Sequence, residues 1–307
     1  MVEAFKPTSL AEALEIRSDT HAIPFAGGTD LMVRFRARDG MAPSFKLPIL
    51  FVDSLPELNT IRILDGALII GASLTFSVLA GDHGGAGPIP GAAIDARALA
   101  AIPAVLKAAA AAVGAPALRN RATIGGNLAN ASPAGDGLAA LYALRAEIVL
   151  TSLDGEREVP VEEFILGPGE TDLEEDEIIR AIRIPAPLPD WAYWRKVGTR
   201  RTNALTKVSL AAGASVRDGG VERCSLAFGA VGPRVVRARE AENLLQARLP
   251  LAREMESREI VAEAARLLSP LIMPIDDQRS TARYRGAVAL NLMGDAIASL
   301  IARSESA

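Results

Sequence analysis

Two short glycine segments, Ala26-Gly27-Gly28-Thr29-Asp30 and Thr123-Ile124-Gly125-Gly126-Asn127, carry the residue types best suited to holding an anion. Glycine lets main-chain N–H groups approach a ligand with no side chain in the way, and consecutive N–H groups in a turn form a nest for phosphate oxygens. Two such segments suit a long ligand that carries a pyrophosphate. A glycine pair alone is more often a tight turn than a phosphate site, so the surroundings decide. The second segment lies in a run, residues 119–136, rich in hydroxyl, amide and carboxylate groups. Asn127 and Ser132 can bond phosphate or ribitol hydroxyls, and Asp136 can accept from sugar hydroxyls, as an acidic residue does in dinucleotide sites.

Other chemistry is poorly served. No Gly-x-x-x-x-Gly-Lys, Gly-x-Gly-x-x-Gly, Gly-x-Ser-x-Gly or His-Glu-x-x-His motif occurs. The single cysteine, Cys224, cannot hold zinc or an iron–sulfur cluster by itself, and His21 and His83 have no partner at ligand spacing. No residue is assigned a catalytic or metal-binding role, and any iron–sulfur chemistry belongs on another chain. The net charge of -4 with scattered Lys and Arg argues against nucleic acid. The amino-terminal residues lack a charged and an apolar region in series, and the alanine-rich residues 92–113 include Asp95, Arg97, Pro103 and Lys107, so neither a secretory signal nor a membrane span is expected. A cytoplasmic protein is the default expectation.

The elements that must position the glycine segments are legible in outline. A chain of 307 residues, 50% of them apolar, suits two or three subdomains. Ser9 with Glu12 resembles a capping box and starts a helix over 9–18. Residues 22–26 read as a strand entering the first glycine turn, Thr29 or Asp30 as the cap of a helix through Arg38, and 47–52 as a buried strand. Asp65-Gly66 and Asp154-Gly155 each mark a hairpin, over 61–70 and 147–159. Between them lie an exposed Gly/Pro-rich loop at 81–91, an alanine-rich helix, the second glycine segment as a polar loop, and a helix over 137–145.

Alternating prolines at 185–189 mark the best domain boundary. Beyond it, strands are expected at 191–198, 206–217 and 221–230, with Asp218-Gly219-Gly220 turning the last pair, then helices at 237–247, 253–268 and 280–302. That order of strands then helices is an α+β layout.

On these pieces the chain resembles the FAD-binding medium subunits of the molybdenum hydroxylases, the group that includes carbon monoxide dehydrogenase medium subunits and the flavin domain of xanthine dehydrogenase. The resemblance runs nearly end to end, through residues 26–31, 53–72, 119–136, 164–185, 196–208, 228–242 with Gly232-Pro233, and 277–285. It implies an α+β protein with a two-subdomain FAD-binding fold of the vanillyl-alcohol oxidase (PCMH) type over residues 1–184, split near 53–57. A smaller α+β domain of antiparallel sheet plus helices follows over 191–303.

The resemblance also implies a site. Ala26, Gly27, Gly28, Thr29, Asp30 and Leu31, together with Thr123, Ile124, Gly125, Gly126 and Asn127, hold the FAD pyrophosphate, and Gly114 and Ser132 belong to the same set. Asp136 lies on the adenosine side, Leu173 shields the isoalloxazine, and Lys196 sits where a cation could stabilise charge on the reduced ring. A core leucine and a solvated lysine are the plain alternatives for the last two. Residues 277–285 read as a salt-bridged helix start without chemistry.

Partners follow by the same implication: a small subunit with two 2Fe–2S clusters and a large molybdopterin subunit, as a dimer of heterotrimers, with NAD, oxygen or a quinone as acceptor. A self-contained flavin oxidase or reductase, and a flavin-free scaffold subunit, are the competing readings.

Overall fold

A computed structural model of the chain describes residues 2–36, 41–82, 91–200, 203–250 and 256–306. Most of the expected loop at 81–91, the end of the expected helix through Arg38, and the first residues of the expected 253–268 helix lie outside the described residues. Two compact units form, and both are discontinuous in sequence. The first comprises Met1–Ile102, Ala115–Ala131 and Ala146–Ala186; the second comprises Pro103–Gly114, Ser132–Arg145 and Pro187–Ala307.

In the first unit, β1 (Ala4–Phe5), β2 (Ile23–Phe25) and β3 (Ile49–Phe51) form a parallel sheet with β3 central. The helix Leu10–Thr20 buries Ala13 and Leu14 against Leu50, Val52, Leu55 and Leu58. Its Ser9 cap accepts from Glu12 N–H at 3.2 Å, but Glu12 bonds the Thr8 N–H and hydroxyl rather than closing the expected box on Ser9. A second sheet takes β4 (Ile61–Leu64), β5 (Ala67–Gly71), β6 (Glu147–Ser152) and β7 (Gly155–Pro160). After the small hairpin β8 (Ile165–Gly167) and β9 (Glu170–Thr171), the strand β10 (Ile178–Ile184) returns to its centre, antiparallel to β5 and β6.

Asp65 and Gly66 both take positive φ, 50° and 78°, which matches the twist of the two strands they join. The other hairpin turns one residue earlier than expected: Ser152 pairs with Gly155, leaving Leu153 and Asp154 in the loop. The alanine-rich stretch is two helices, Ala96–Ala100 and Ala104–Ala112, because Pro103 cannot continue the first and caps the second.

The second unit is built on the antiparallel strands β11 (Trp191–Val197), β12 (Val208–Arg217), β13 (Gly220–Gly229) and β14 (Val236–Arg237). All but the last residue of β12 are buried, as a central strand covered on both faces must be. Helices Arg239–Arg248, Glu256–Leu268 and Ala282–Glu305 supply Leu245, Ile260, Met293, Ile297 and Leu300 to a core with Leu210, Leu226 and Phe228. The helix Asp136–Ala143, buried at every residue, packs with Ala104–Ala112. Ala282–Glu305 is long and apolar enough to cross a membrane by length and composition, but its buried face belongs to this core. Its start is salt-bridged as expected, with Arg285 Nη2 on Asp277 Oδ1 at 2.6 Å.

Candidate cofactor site

Strand β2 delivers the first glycine segment. The Phe25 ring packs edge-on against Phe51 at 5.2 Å, and the chain then bends across it. A Cβ on Gly28, which has φ +70°, would stand 2.3 Å from that ring; a Cβ on Gly27 would stand 1.9 Å from the carbonyl oxygen of Arg121. Both positions therefore need glycine, Gly27 for a close approach between two backbones and Gly28 for its conformation as well. The helix that follows is a single turn, Leu31–Arg34, shorter than expected, and Asp30 caps it without a side-chain hydrogen bond. Among the described residues, none of the main-chain N–H groups from Gly27 through Leu31 has an acceptor. Five open donors in succession, four of them on half-buried residues, form a nest for an oxyanion. Asp30 is exposed by area, yet enough protein surrounds its carboxyl for desolvation to raise its pKa.

The second glycine segment is different: it is helix, not loop. Thr123 caps the helix Ile124–Asn130, its Oγ1 accepting from Gly126 N–H at 3.1 Å. Ile124 N–H donates to Leu74 O at 3.0 Å, Gly125 N–H to Ala72 O at 2.8 Å, and Asn127 N–H to Thr123 O at 3.0 Å. The N–H groups of Ile124, Gly125, Gly126 and Asn127, four of those expected to meet phosphate here, are already bonded. Gly125 is glycine because its Cβ would lie 2.7 Å from the Ala72 methyl, and Ile124 is fully buried. What the segment offers a ligand is the Asn127 carboxamide, whose Oδ1 is buried without a partner. An orphaned acceptor suits a ligand hydroxyl.

A third element, absent from the sequence reading as a site component, joins these two. In the β8–β9 hairpin, Gly169 takes φ +78° and its N–H donates to Ala131 O, at the end of the Ile124–Asn130 helix, at 3.1 Å. The position of its missing Cβ is 3.8 Å from Arg34 Nη2, on the turn that follows the nest. Leu173, half-buried, lies on the segment that leaves this hairpin. Gly167-Pro168-Gly169 is visible in the sequence as a turn, but nothing in it says which elements the turn touches.

The remaining expected residues belong to the second unit. Asp136 and Lys196, expected as separate contacts, form one buried ion pair: Lys196 Nζ donates to Asp136 Oδ2 at 2.5 Å and to Ala112 O at 2.9 Å, and Thr206 Oγ1 donates to Asp136 Oδ1 at 2.7 Å. Burial pushes the Asp136 carboxyl up, against the pull of Lys196 and Thr206. Gly114 turns the chain at φ +46° after the helix Ala104–Ala112, and half-buried Ser132 accepts from Gly135 N–H through its carbonyl at 2.8 Å. Cys224 is fully buried, and burial raises its thiol to about 12, far from the thiolate that metal or redox chemistry needs. Among the described residues no cluster of His, Cys, Asp and Glu has the grouping of a metal site.

Comparison with known proteins shows the family. Residues 1–187 match the FAD binding domain in molybdopterin dehydrogenase, and residues 193–300 match the CO dehydrogenase flavoprotein C-terminal domain. These matches, with the α+β fold, define a flavin-binding component of an oxidoreductase. The chain belongs to the FAD-binding subunits of the molybdenum hydroxylase family. It is 30% identical to the carbon monoxide dehydrogenase medium chain of Hydrogenophaga pseudoflava, over 98% of this chain and 97% of that one. It is 32% identical to the nicotinate dehydrogenase FAD-subunit of Eubacterium barkeri, over 79% of each. A solved structure of carbon monoxide dehydrogenase from Hydrogenophaga pseudoflava superposes with a TM-score of 0.81 at 27% identity, covering 98% of both chains.

Proposed function

We propose that this chain is the electron-transfer flavoprotein of a molybdenum hydroxylase, taking electrons from 2Fe–2S clusters on a small subunit and passing them to NAD, oxygen or a quinone. A large molybdopterin subunit carries out the substrate chemistry, and the subunits assemble in the cytoplasm as a dimer of heterotrimers. The observation that carries the cofactor assignment is the run of open N–H groups from Gly27 to Leu31, held in place where Gly27 meets the Arg121 carbonyl. These donors take the FAD pyrophosphate, and the orphaned Asn127 Oδ1 takes a ligand hydroxyl. FAD, when bound, supplies one- and two-electron redox chemistry, while the protein supplies binding, orientation and electrostatics.

Similar chains serve enzymes named for carbon monoxide, nicotinate and glyceraldehyde. One kind of flavin subunit beside such different substrates supports a division of labour in which another subunit selects the substrate. The test is to express the chain with its neighbouring genes, purify the complex and measure FAD released per chain on denaturation. One FAD per chain is expected. Colourless protein that cannot be reconstituted with FAD would refute the assignment, and turnover of an organic substrate by the isolated chain would refute the division of labour.

A further inference from the structure

The helix Asp136–Ala143 ends on Leu144, and the chain turns left-handed at Arg145, φ 52°, a position after a helix end where glycine is favoured. The arginine there reaches across to β13: its Nε donates to Ser225 Oγ at 3.1 Å and its Nη2 to the Cys224 carbonyl at 2.9 Å. Among the described residues its Nη1 has no acceptor. Successive side chains of a strand alternate in face, so Arg223 emerges on the same face of β13 as Ser225 and neighbours this guanidinium. Arg223 is half-buried like Arg145, and its Nη1 makes one long bond, 3.4 Å, to the Pro187 carbonyl. Arg237, on β14, stands opposite Ala227 of the same strand, and Arg239 opens the helix Arg239–Arg248 two residues later.

Four guanidiniums thus share one region of the second unit, and the carboxylate that acts on Arg145 there is Glu242. Glu242 is already engaged: Arg237 donates to both of its oxygens, from Nε to Oε1 at 2.9 Å, and Leu226 N–H donates to Oε1 at 2.8 Å. Among the described residues, neither Arg145 nor Arg223 has a carboxylate within ion-pair reach. Burial lowers the Arg145 pKa, and the fields of Arg237, Arg223 and Arg239 lower it further, with Glu242 pulling the other way. Like charges held together in a partly desolvated place repel, and an anion bound among them removes that repulsion. The chain as a whole carries -4, so this positive excess is local.

We propose that Arg145 and Arg223, with Arg237 and Arg239 adding to the field, form a second anion site on this chain, which takes a phosphate dianion, free or as the terminal group of a small phosphate ester. An excess of three guanidiniums over carboxylate matches a doubly charged group better than a carboxylate. The planar N–H fork of arginine also fits phosphate oxygens in pairs. Ser225 and Cys224 use one edge of the Arg145 guanidinium and leave its other N–H groups for the ligand. The site is made entirely from residues of the second unit, whereas the nest for the FAD pyrophosphate belongs to the first.

The experiment uses the FAD-loaded complex, so that the nest is filled, and titrates it by calorimetry with inorganic phosphate and with AMP, against chloride at equal ionic strength. Wild type is expected to bind phosphate, AMP or both where chloride gives no signal. Arg145→Gln and Arg223→Gln are each expected to weaken that binding about tenfold or more, with FAD content unchanged. Arg217→Gln, at an exposed arginine of the same sheet paired with Glu222, removes the same charge and leaves binding at the wild-type value. Tighter binding of AMP supports the site with a phosphate ester as its ligand, and tighter binding of inorganic phosphate supports it with the free ion. No binding beyond chloride overturns the site, as does binding that survives in both Arg145→Gln and Arg223→Gln. An equal loss in Arg217→Gln overturns it in favour of diffuse charge. Should Arg145→Gln not fold, Arg223→Gln, whose side chain makes only the Pro187 bond, is read by the same outcomes.

Discussion

The two glycine segments look alike in sequence and behave in opposite ways. Around Gly27-Gly28 the backbone is bent so that successive N–H groups are left open; around Gly125-Gly126 each N–H has an acceptor. Both pairs make room for the protein itself, Gly27 for the Arg121 carbonyl, Gly28 for the Phe25 ring and Gly125 for Ala72. Glycine thus reports close approach in both places, and only the fate of the N–H groups tells which bare backbone is open to a ligand.

The strongest way to break this contrast is Gly27→Val. Its Cβ would collide with the Arg121 carbonyl, a backbone atom that cannot step aside, so the bend must open and FAD content should fall to near zero. Gly28→Ala should act the same way through φ +70° and the Phe25 ring. Full FAD in both variants would remove the nest.

Next in size is Gly125→Ala, which overpacks the Ala72 contact and should cost about 1–3 kcal/mol of stability by chemical denaturation. FAD per folded molecule should stay at the wild-type level. Loss of FAD with unchanged stability would show that the second segment is a direct anion site after all. Thr123→Ala removes the helix cap and should cost about 1 kcal/mol. Because it also frees the Gly126 N–H, FAD affinity should not fall, which equilibrium titration of the apoprotein checks.

The smallest effect is expected at Asp30, a carboxylate beside the nest. Desolvation raises its pKa, so the folded state favours the protonated form: the stability this gives is present in acid and is lost as pH rises through the raised folded-state value. Asp30→Asn removes the charge at all pH values. FAD affinity should rise slightly at neutral pH, and its pH dependence across the carboxylate range should flatten; an unchanged titration would place Asp30 outside the field of the bound anion.

Much of the local structure was legible. Ser9, Asp65-Gly66, Asp218-Gly219 and the prolines after Ile184 act on their immediate neighbours, and each leads to the cap, hairpin or break that its chemistry demands. The short Leu31–Arg34 helix and the split at Pro103 differ from expectation only in extent. Residues tied to distant partners were not legible as such. Arg157 is one charged residue among several on β7 and has no pattern that points to Asp172 or Glu177, and the Asp136–Lys196 pair joins two positions expected to act separately.

By itself, then, the amino-acid sequence determined where the backbone is bare, where it turns and which family of folds it enters, because glycine conformation, capping and hydrophobic period act over a few residues. Only the tertiary structure decided which bare backbone is available to a ligand. Thr123 closes Gly126 and Asn127 locally, but the acceptors that close Ile124 and Gly125, Leu74 O and Ala72 O, come from a part of the chain far from them, and hydrogen bonding between such distant groups exists only once the chain has folded.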